Sequence, residues 1–326
     1  MDNMSRKIVI SGYYGFKNFG DELILSILTR YLKSQNADVT VFSVDTEYTS
    51  SNYGVKSVAT FDLGQIVKTL SGSDVLISGG GSLFQDATSL RSVLYYSIIL
   101  AMAQILGKKT VIFAQGVGPL KNPISRFLVK NLFKMCDYVS VRDENSQKML
   151  ARWGVSSVLV SDPAFSLEVQ NVAKEKVLGV QLRAFTGMGE DFLQNLACVV
   201  NESGFEKVKL FSLQKSQDFE LSKKFAQMLI GKSVEIVEEK IVSEISKIDT
   251  LIGMRFHSLV VALKSGVKCC AINYDPKVQI LAEKYTLPLI ELDDNLSKMD
   301  YCFKNSTVKN VAWDEFPWGD ILKFCQ

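Results

Sequence analysis

Residues 7–33 read KIVISGYYGFKNFGDELILSILTRYLK. The opening Lys7-Ile-Val-Ile-Ser11 is a β-rich apolar run that stops at Gly12. Leu23, Ile24, Ile27, Leu28, Tyr31 and Leu32 then recur at helical spacing and make one apolar face. Between the two runs lies Gly12-Tyr-Tyr-Gly15-Phe-Lys-Asn18-Phe-Gly20-Asp21-Glu22, a turn from the carboxyl end of a strand into a helix. Strand, loop and helix form the unit from which parallel sheets are built, because parallel neighbours need a long crossover between them.

The unit repeats in both directions from that logic. Strands are expected at 38–44, 74–78, 110–114, 138–141 and 157–160, and helices at 63–70, at 93–106 closed by Gly107, and from Asn122-Pro123 to about 135. A further helix opens at Asp143-Glu144 and stops at Gly154. Residues 168–176 are polar and lack a period, which reads as a linker. The alternation then restarts, with strands at 177–182, 207–213, 234–237, 250–252 and 268–272 and helices between them. The expected fold is α/β, with two Rossmann-like domains whose parallel sheets face across a cleft. The expected division is an N-terminal domain over 1–166, a linker over 167–176, a C-terminal domain over 177–308, and a C-terminal helix over 309–326 that packs back on the body.

Composition agrees with this and excludes several classes. A chain of 326 residues can bury two cores without staples. Lys+Arg 37 against Asp+Glu 35 leaves a formal charge of +2, too balanced for a dedicated nucleic-acid binder. The six cysteines form no C-x-x-C pair, so neither a zinc knuckle nor a thioredoxin-like motif is expected, and reduced thiols in a cytoplasm fit best. The first ten residues do not resemble a secretory leader. The longest apolar stretch, 93–106, is shorter than the roughly 20 residues that span a bilayer and reads as a buried helix.

In open α/β sheets ligands bind beyond the carboxyl ends of strands, so the residues after each strand are the candidates. In the first loop, Gly15 allows close backbone approach, while Asn18, Asp21 and Glu22 suit sugar hydroxyls better than phosphate. A plain turn with acidic helix-opening residues is the competing explanation. In Gly79-Gly80-Gly81-Ser82-Leu83-Phe84-Gln85-Asp86, close contact with a ligand or with the first loop would account for three glycines, a tight packing turn being the competing explanation, and Gln85 and Asp86 can bind hydroxyls. Gln115-Gly-Val-Gly-Pro119 alone says little. Arg142 ends a strand, where it can pair with Asp143 or Glu144 or hold a ligand. His257 is the one histidine of the chain and sits where a strand turns into an apolar helix, two residues after Arg255. A helix N-terminus beside an arginine suits an anion, and the imidazole exchanges protons near neutral pH. Lys277 opens the next helix, where a cation opposes the helix dipole unless an anion is bound. With Arg183 at the end of its strand, these cations suit a ligand that carries phosphate or carboxylate. A single histidine and no D-x-D triplet argue against a divalent-metal site.

Taken together, the segments 12–22, 77–86, 115–119, 140–143, 161–164 and Gly253-Met-Arg-Phe-His257 resemble the polysaccharide pyruvyl transferases, and within them the bacterial CsaB-type members. Phe256, Lys17 and Phe19 depart mildly from the family pattern. The resemblance implies a GT-B-like fold, phosphoenolpyruvate as donor, no further cofactor, and a sugar pyruvate ketal as product. For CsaB-type members it implies a terminal N-acetylmannosamine on a lipid-linked cell-wall glycopolymer precursor, whose modified polymer anchors S-layer proteins. Such an enzyme is cytoplasmic, with peripheral contact at the inner face of the plasma membrane, and has no transmembrane segment. Carried onto this chain, His257 and Arg142 are the catalytic candidates. Arg142, Arg255, His257, Lys277 and Arg183 are the donor-binding set. Gly15, Asn18, Asp21, Glu22, Gly80, Gly81 and Gln85 form the acceptor side. A nucleotide-sugar glycosyltransferase of the same architecture and a non-catalytic carbohydrate-binding protein are the alternatives.

Overall fold

The computed structural model describes residues 5–86, 90–185, 188–292 and 315–325. Cys302, Trp313 and the boundary expected at 308–309 lie outside them. The chain divides into two compact units, Met1–Ser166 with Asp314–Gln326, and Leu167–Trp313.

The first unit follows the strand–helix alternation. Its elements are β1 (Lys7–Ser11), α1 (Phe19–Ser34), β2 (Asp38–Ser43), α2 (Thr46–Tyr53), β3 (Lys56–Ala59), α3 (Leu63–Ser71), β4 (Val75–Ser78), α4 (Leu90–Ile105), β5 (Lys109–Gln115), α5 (Pro123–Lys134), β6 (Tyr138–Val141), α6 (Glu144–Arg152) and β7 (Val158–Leu159). The strands form one parallel sheet in the order β3-β2-β1-β4-β5-β6-β7. Sequential growth outward from β1 in one direction and then from β4 in the other places the topological switch between β1 and β4. Both faces of the sheet are covered, so β4 is buried along its whole length and reads as a continuous apolar run. On one face Ile66, Val93, Leu100, Val129 and Phe133 of α3, α4 and α5 pack against Val9, Leu76 and Ile112. On the other, Ile24, Leu25 and Leu28 of α1 pack with Phe316 and Ile321 against Ile8, Ile77 and Phe113. The helix Trp318–Cys325 thus belongs to the first unit's core, and Trp318 stacks on Tyr31 at 4.1 Å. Each such aliphatic side chain, fully buried, contributes about 1.5–3 kcal/mol.

The second unit repeats the plan with β8 (Glu175–Gln181), α7 (Glu190–Glu202), β9 (Lys207–Phe211), α8 (Lys215–Ala226), β10 (Ser233–Val237), α9 (Ile241–Lys247), β11 (Ile248–Gly253), α10 (Phe256–Lys264), β12 (Lys268–Asn273), α11 (Pro276–Tyr285) and β13 (Leu289–Glu291). Its parallel sheet runs β10-β9-β8-β11-β12-β13, which puts the switch between β8 and β11. The loops after those two strands carry Arg183 on one side and Arg255 and His257 on the other. The short elements α2, β3 and β13 were not expected from the sequence, nor was the 3-10 turn Pro163–Ser166. Only Thr49 is buried in α2, so it lacks the apolar stripe that announces a helix.

Candidate active site

In the first unit the loops at the switch point hold one another in place. Asn18 caps α1 by accepting the Gly20 N–H at 3.1 Å. Glu22 points inward: one carboxylate oxygen accepts the Gly15 N–H at 2.8 Å and the other the Tyr53 hydroxyl at 2.6 Å. Burial raises its pKa above the usual carboxylate range, and the hydrogen bonds from Tyr53 and Gly15 offset part of that rise. Asn18 and Glu22, expected on the acceptor side, are therefore engaged in fixing the loop.

The glycine triplet has a packing cause. A Cβ on Gly79, Gly80 or Gly81 would overlap the Tyr14 hydroxyl, Ile24 Cγ2 or Asp21 Oδ1 respectively, each at no more than 2.5 Å. Gly81 also takes φ +82°, which side chains rarely adopt. The loop after β4 thus lies directly against the start of α1, and Asp21 faces Gly81. Buried Gln115 ties this loop to the next by donating to the Gly80 carbonyl at 3.0 Å and accepting the Leu83 N–H at 3.2 Å. Gly116 donates to the Gly81 carbonyl at 2.9 Å. A register shift in the β5–β6 pairing, with Ala114 at φ 45° and its N–H on Ser140 Oγ, accompanies this arrangement. The Asp86 oxygens accept the Lys121 and Asn122 N–H groups at 2.7 and 2.8 Å, which ties the loop after β4 to the start of α5. Gln85 lies in the same loop, half-buried.

Arg142 pairs neither with Asp143, which caps α6, nor with Glu144, which bonds Lys148. It reaches Asp162 Oδ2 from Nη1 at 2.8 Å and Ser82 Oγ from Nη2 at 3.1 Å. Both partners of the ion pair are largely buried, at 11% and 3% side-chain exposure. Asp162 is itself oriented by the Ala164 N–H on its other oxygen at 3.0 Å. The guanidinium plane is thereby fixed at the carboxyl end of β6, between the loops after β4 and β5.

The second unit holds the other cations. Arg255 is the N-cap of α10 and His257 lies in its first turn, half-buried, with the Phe256 ring edge-on at 5.2 Å. The Arg255 guanidinium grips Asp218 through Nε at 2.9 Å and Nη2 at 2.6 Å. Asp218 is fully buried and also accepts the Leu213 and Gln214 N–H groups at 3.0 and 3.1 Å. The backbone N–H of Arg255 donates to Gln181 Oε1 at 2.6 Å. Arg255 is thus a charge-compensated arginine set by a buried carboxylate, not the bare cation its position suggested. Arg183 donates to the Tyr274 hydroxyl at 3.2 Å, with its guanidinium 5.6 Å from the ring centroid. Lys277 is exposed at the start of α11, where Asp275 caps the helix by accepting its N–H at 2.9 Å. The structure therefore places Arg183 and Arg255 in the loops, and His257 and Lys277 at the helix starts, that follow β8, β11 and β12, and places Arg142 in the first unit. Asp162, Asp218, Gln181 and Tyr274 carry the supporting geometry, and no role was assigned to them from sequence. Only the fold brings Asp218 to Arg255, 37 residues away. Among the described residues no three His, Cys, Asp or Glu side chains are grouped to hold a metal ion.

A family model described as polysaccharide pyruvyl transferase matches residues 18–276. The chain belongs to the polysaccharide pyruvyl transferase family. The match runs from the cap of α1 to the start of α11 and includes the loops after β4, β5, β6, β8 and β11, while Gly15 and Lys277 lie just outside it. It makes the protein a transferase of polysaccharide biosynthesis. Solved structures share its fold at low identity. The UDP-GlcNAc 2-epimerase of Methanocaldococcus jannaschii is 13% identical with a TM-score of 0.65, covering 98% of this chain and 99% of that one. Anabaena HepE in complex with UDP-glucose is 12% identical with a TM-score of 0.59, covering 91% and 89%. A glycosyltransferase from Rickettsia africae is 11% identical with a TM-score of 0.59, covering 92% and 88%. At such identities the likeness concerns architecture, two Rossmann-like domains of the GT-B type.

Proposed function

We propose that this pyruvyl transferase takes phosphoenolpyruvate as donor and converts two hydroxyls of one sugar into a cyclic pyruvate ketal, releasing phosphate. The supporting observation is the set Arg183, Arg255 and His257 at the β8–β11 switch of the second unit, beside the N-terminus of α10. Backbone N–H groups of a helix start, guanidinium donors and an imidazole suit a small ligand bearing both phosphate and carboxylate. Lys277 adds a flexible positive charge from α11.

The chemistry balances without a cofactor. A proton added to the methylene carbon leaves C2 with oxocarbenium character. One sugar hydroxyl attacks C2 and gives up its proton, which replaces the one delivered to carbon. The neighbouring hydroxyl then attacks C2, the C2–O bond to phosphate breaks, and the second proton leaves on phosphate. His257 carries the proton to the methylene carbon. Lys277 stabilises the negative charge that grows on the departing phosphate, and Arg142, oriented by Asp162 and Ser82, is the first unit's catalytic candidate. Asp21 and Gln85 orient the acceptor hydroxyls, while Gly15, Gly80 and Gly81 let the loops that carry them pack closely on their neighbours. Asn18 and Glu22 keep the first loop in shape. The acceptor is a terminal N-acetylmannosamine on a lipid-linked glycopolymer precursor, as in CsaB-type members, and the enzyme works at the inner face of the membrane.

The test is phosphate release from phosphoenolpyruvate by the whole chain with a synthetic N-acetylmannosamine-terminated acceptor, and thermal shift with phosphoenolpyruvate and with UDP-sugars. Stabilisation by the enol phosphate alone supports the proposal. Stabilisation by UDP-sugars alone replaces it with glycosyl transfer. Acceptor binding without phosphate release replaces it with a carbohydrate-binding protein.

A further inference from the structure

The helices α3, α4 and α5 lie on one face of the first unit's sheet and share one core, with α4 in the middle. Their outward sides are unusual in two independent respects. They expose large apolar side chains: Phe61 just before α3 is 78% exposed, Ile105 at the end of α4 is 84% exposed, and Phe127 on α5 is 68% exposed. Leu63, Ile98 and Ile124 on the same three helices are exposed as well. The helix expected over 93–106 as buried is thus buried on one side only. The three helices also contain no Asp or Glu, while they carry Lys68, Arg91, Arg126, Lys130 and Lys134. In a chain with 35 acidic and 37 basic residues, such a one-signed face is a local departure from balance. The acids that flank it serve the backbone: Asp62 caps α3, and Asp137 accepts the Thr110 N–H at 2.7 Å.

We infer that this face of α3–α5 docks on a bilayer that contains anionic phospholipid. Exposed aromatic and aliphatic side chains among lysines and arginines match an interface whose headgroups are negative and whose interior is apolar. A second copy of the chain fits poorly. A two-fold dimer would press this surface against itself and oppose five positive charges with five. Insertion across the membrane does not fit either. No helix among the described residues is long and apolar enough to cross it, and the 16 residues of α4 reach only about 24 Å. The surface extends the proposal of a lipid-carried acceptor, but it rests on side chains outside the reaction.

The experiment is co-sedimentation of the full chain with phosphatidylcholine vesicles, with and without phosphatidylglycerol, alongside the variant Ile105→Glu/Phe127→Glu. Both positions are exposed, so the variant keeps its fold, checked by thermal melting. The expected result is binding to the phosphatidylglycerol vesicles that weakens about tenfold or more without the anionic lipid, in raised salt, or in the variant. Phosphate release with a water-soluble acceptor stays unchanged in the variant. Equal vesicle binding by the parent and the variant, no vesicle binding by the parent, or a solution dimer that the variant splits would overturn the inference. A chain that binds vesicles but releases no phosphate from phosphoenolpyruvate keeps the surface and loses the proposed reaction.

Discussion

Replacing Asp218 by asparagine changes almost no volume but removes the charge that holds Arg255. The asparagine oxygen can take the place of Oδ2 and keep the Leu213 and Gln214 N–H groups and Arg255 Nε. Its amide nitrogen then faces Arg255 Nη2, donor against donor, where a 2.6 Å charge-assisted bond stood. The guanidinium, only 12% exposed, is left without its counter-charge. Breaking a buried pair from one side costs about 3–5 kcal/mol. For a unit of this size that is a fall in melting temperature on the order of 10 °C. Calorimetry and urea unfolding read the stability, and steady-state phosphate release reads the reaction. Where the variant folds at the assay temperature, KM for phosphoenolpyruvate should rise, because Arg255 and the start of α10 lose their fixed positions. Arg255→Lys serves as the second arm: it keeps the charge, loses the two-pronged grip, and should also raise KM. An Asp218→Asn protein within 1 kcal/mol of the parent, with unchanged kcat and KM, refutes the role given to this pair.

Three further outcomes are expected. Glu22 has a raised pKa in the folded chain, so it binds protons more tightly folded than unfolded. Its contribution therefore favours the fold below the usual carboxylate range and is lost as pH rises through the raised value; melting profiles against pH should show this loss in the parent and not in Glu22→Gln. Gly79→Ala should cost about 1–3 kcal/mol by overpacking against the Tyr14 hydroxyl, and Tyr14→Phe in the same chain should recover part of it in a double-mutant cycle. Asp162→Asn should lower kcat for phosphate release while leaving acceptor binding by calorimetry intact, since Arg142 loses its orienting carboxylate.

Most of the fold was legible because parallel strands buried on both faces leave continuous apolar runs, and the helices between them carry an apolar stripe. What the pattern missed lacked such a signal: α2 buries little, and β13 is three residues long. The candidate loops were legible from position, since glycines, Arg142, Arg183, Arg255 and His257 all follow strands. Their partners were not. Asp162 lies 20 residues from Arg142, and Asp218 lies 37 from Arg255; Asp162 falls in a segment that the resemblance singled out, but its pairing did not show, and nothing local distinguishes Asp218 from a solvent-facing aspartate. The glycine triplet shows the reverse. Its cost in backbone freedom was visible, and contact with the first loop was one of the causes expected; that Tyr14, Ile24 and Asp21 make the contact needed the packing of two loops.

The proposal that phosphoenolpyruvate is the donor is decided by one experiment: phosphate release from it by the intact chain and by His257→Ala, with an N-acetylmannosamine-terminated acceptor, followed by mass analysis of the sugar. Transfer as proposed gives one phosphate for each carboxyethylidene group gained by the acceptor, and loss of both in the histidine variant. Phosphate without a modified sugar, or full turnover without the imidazole, would contradict it.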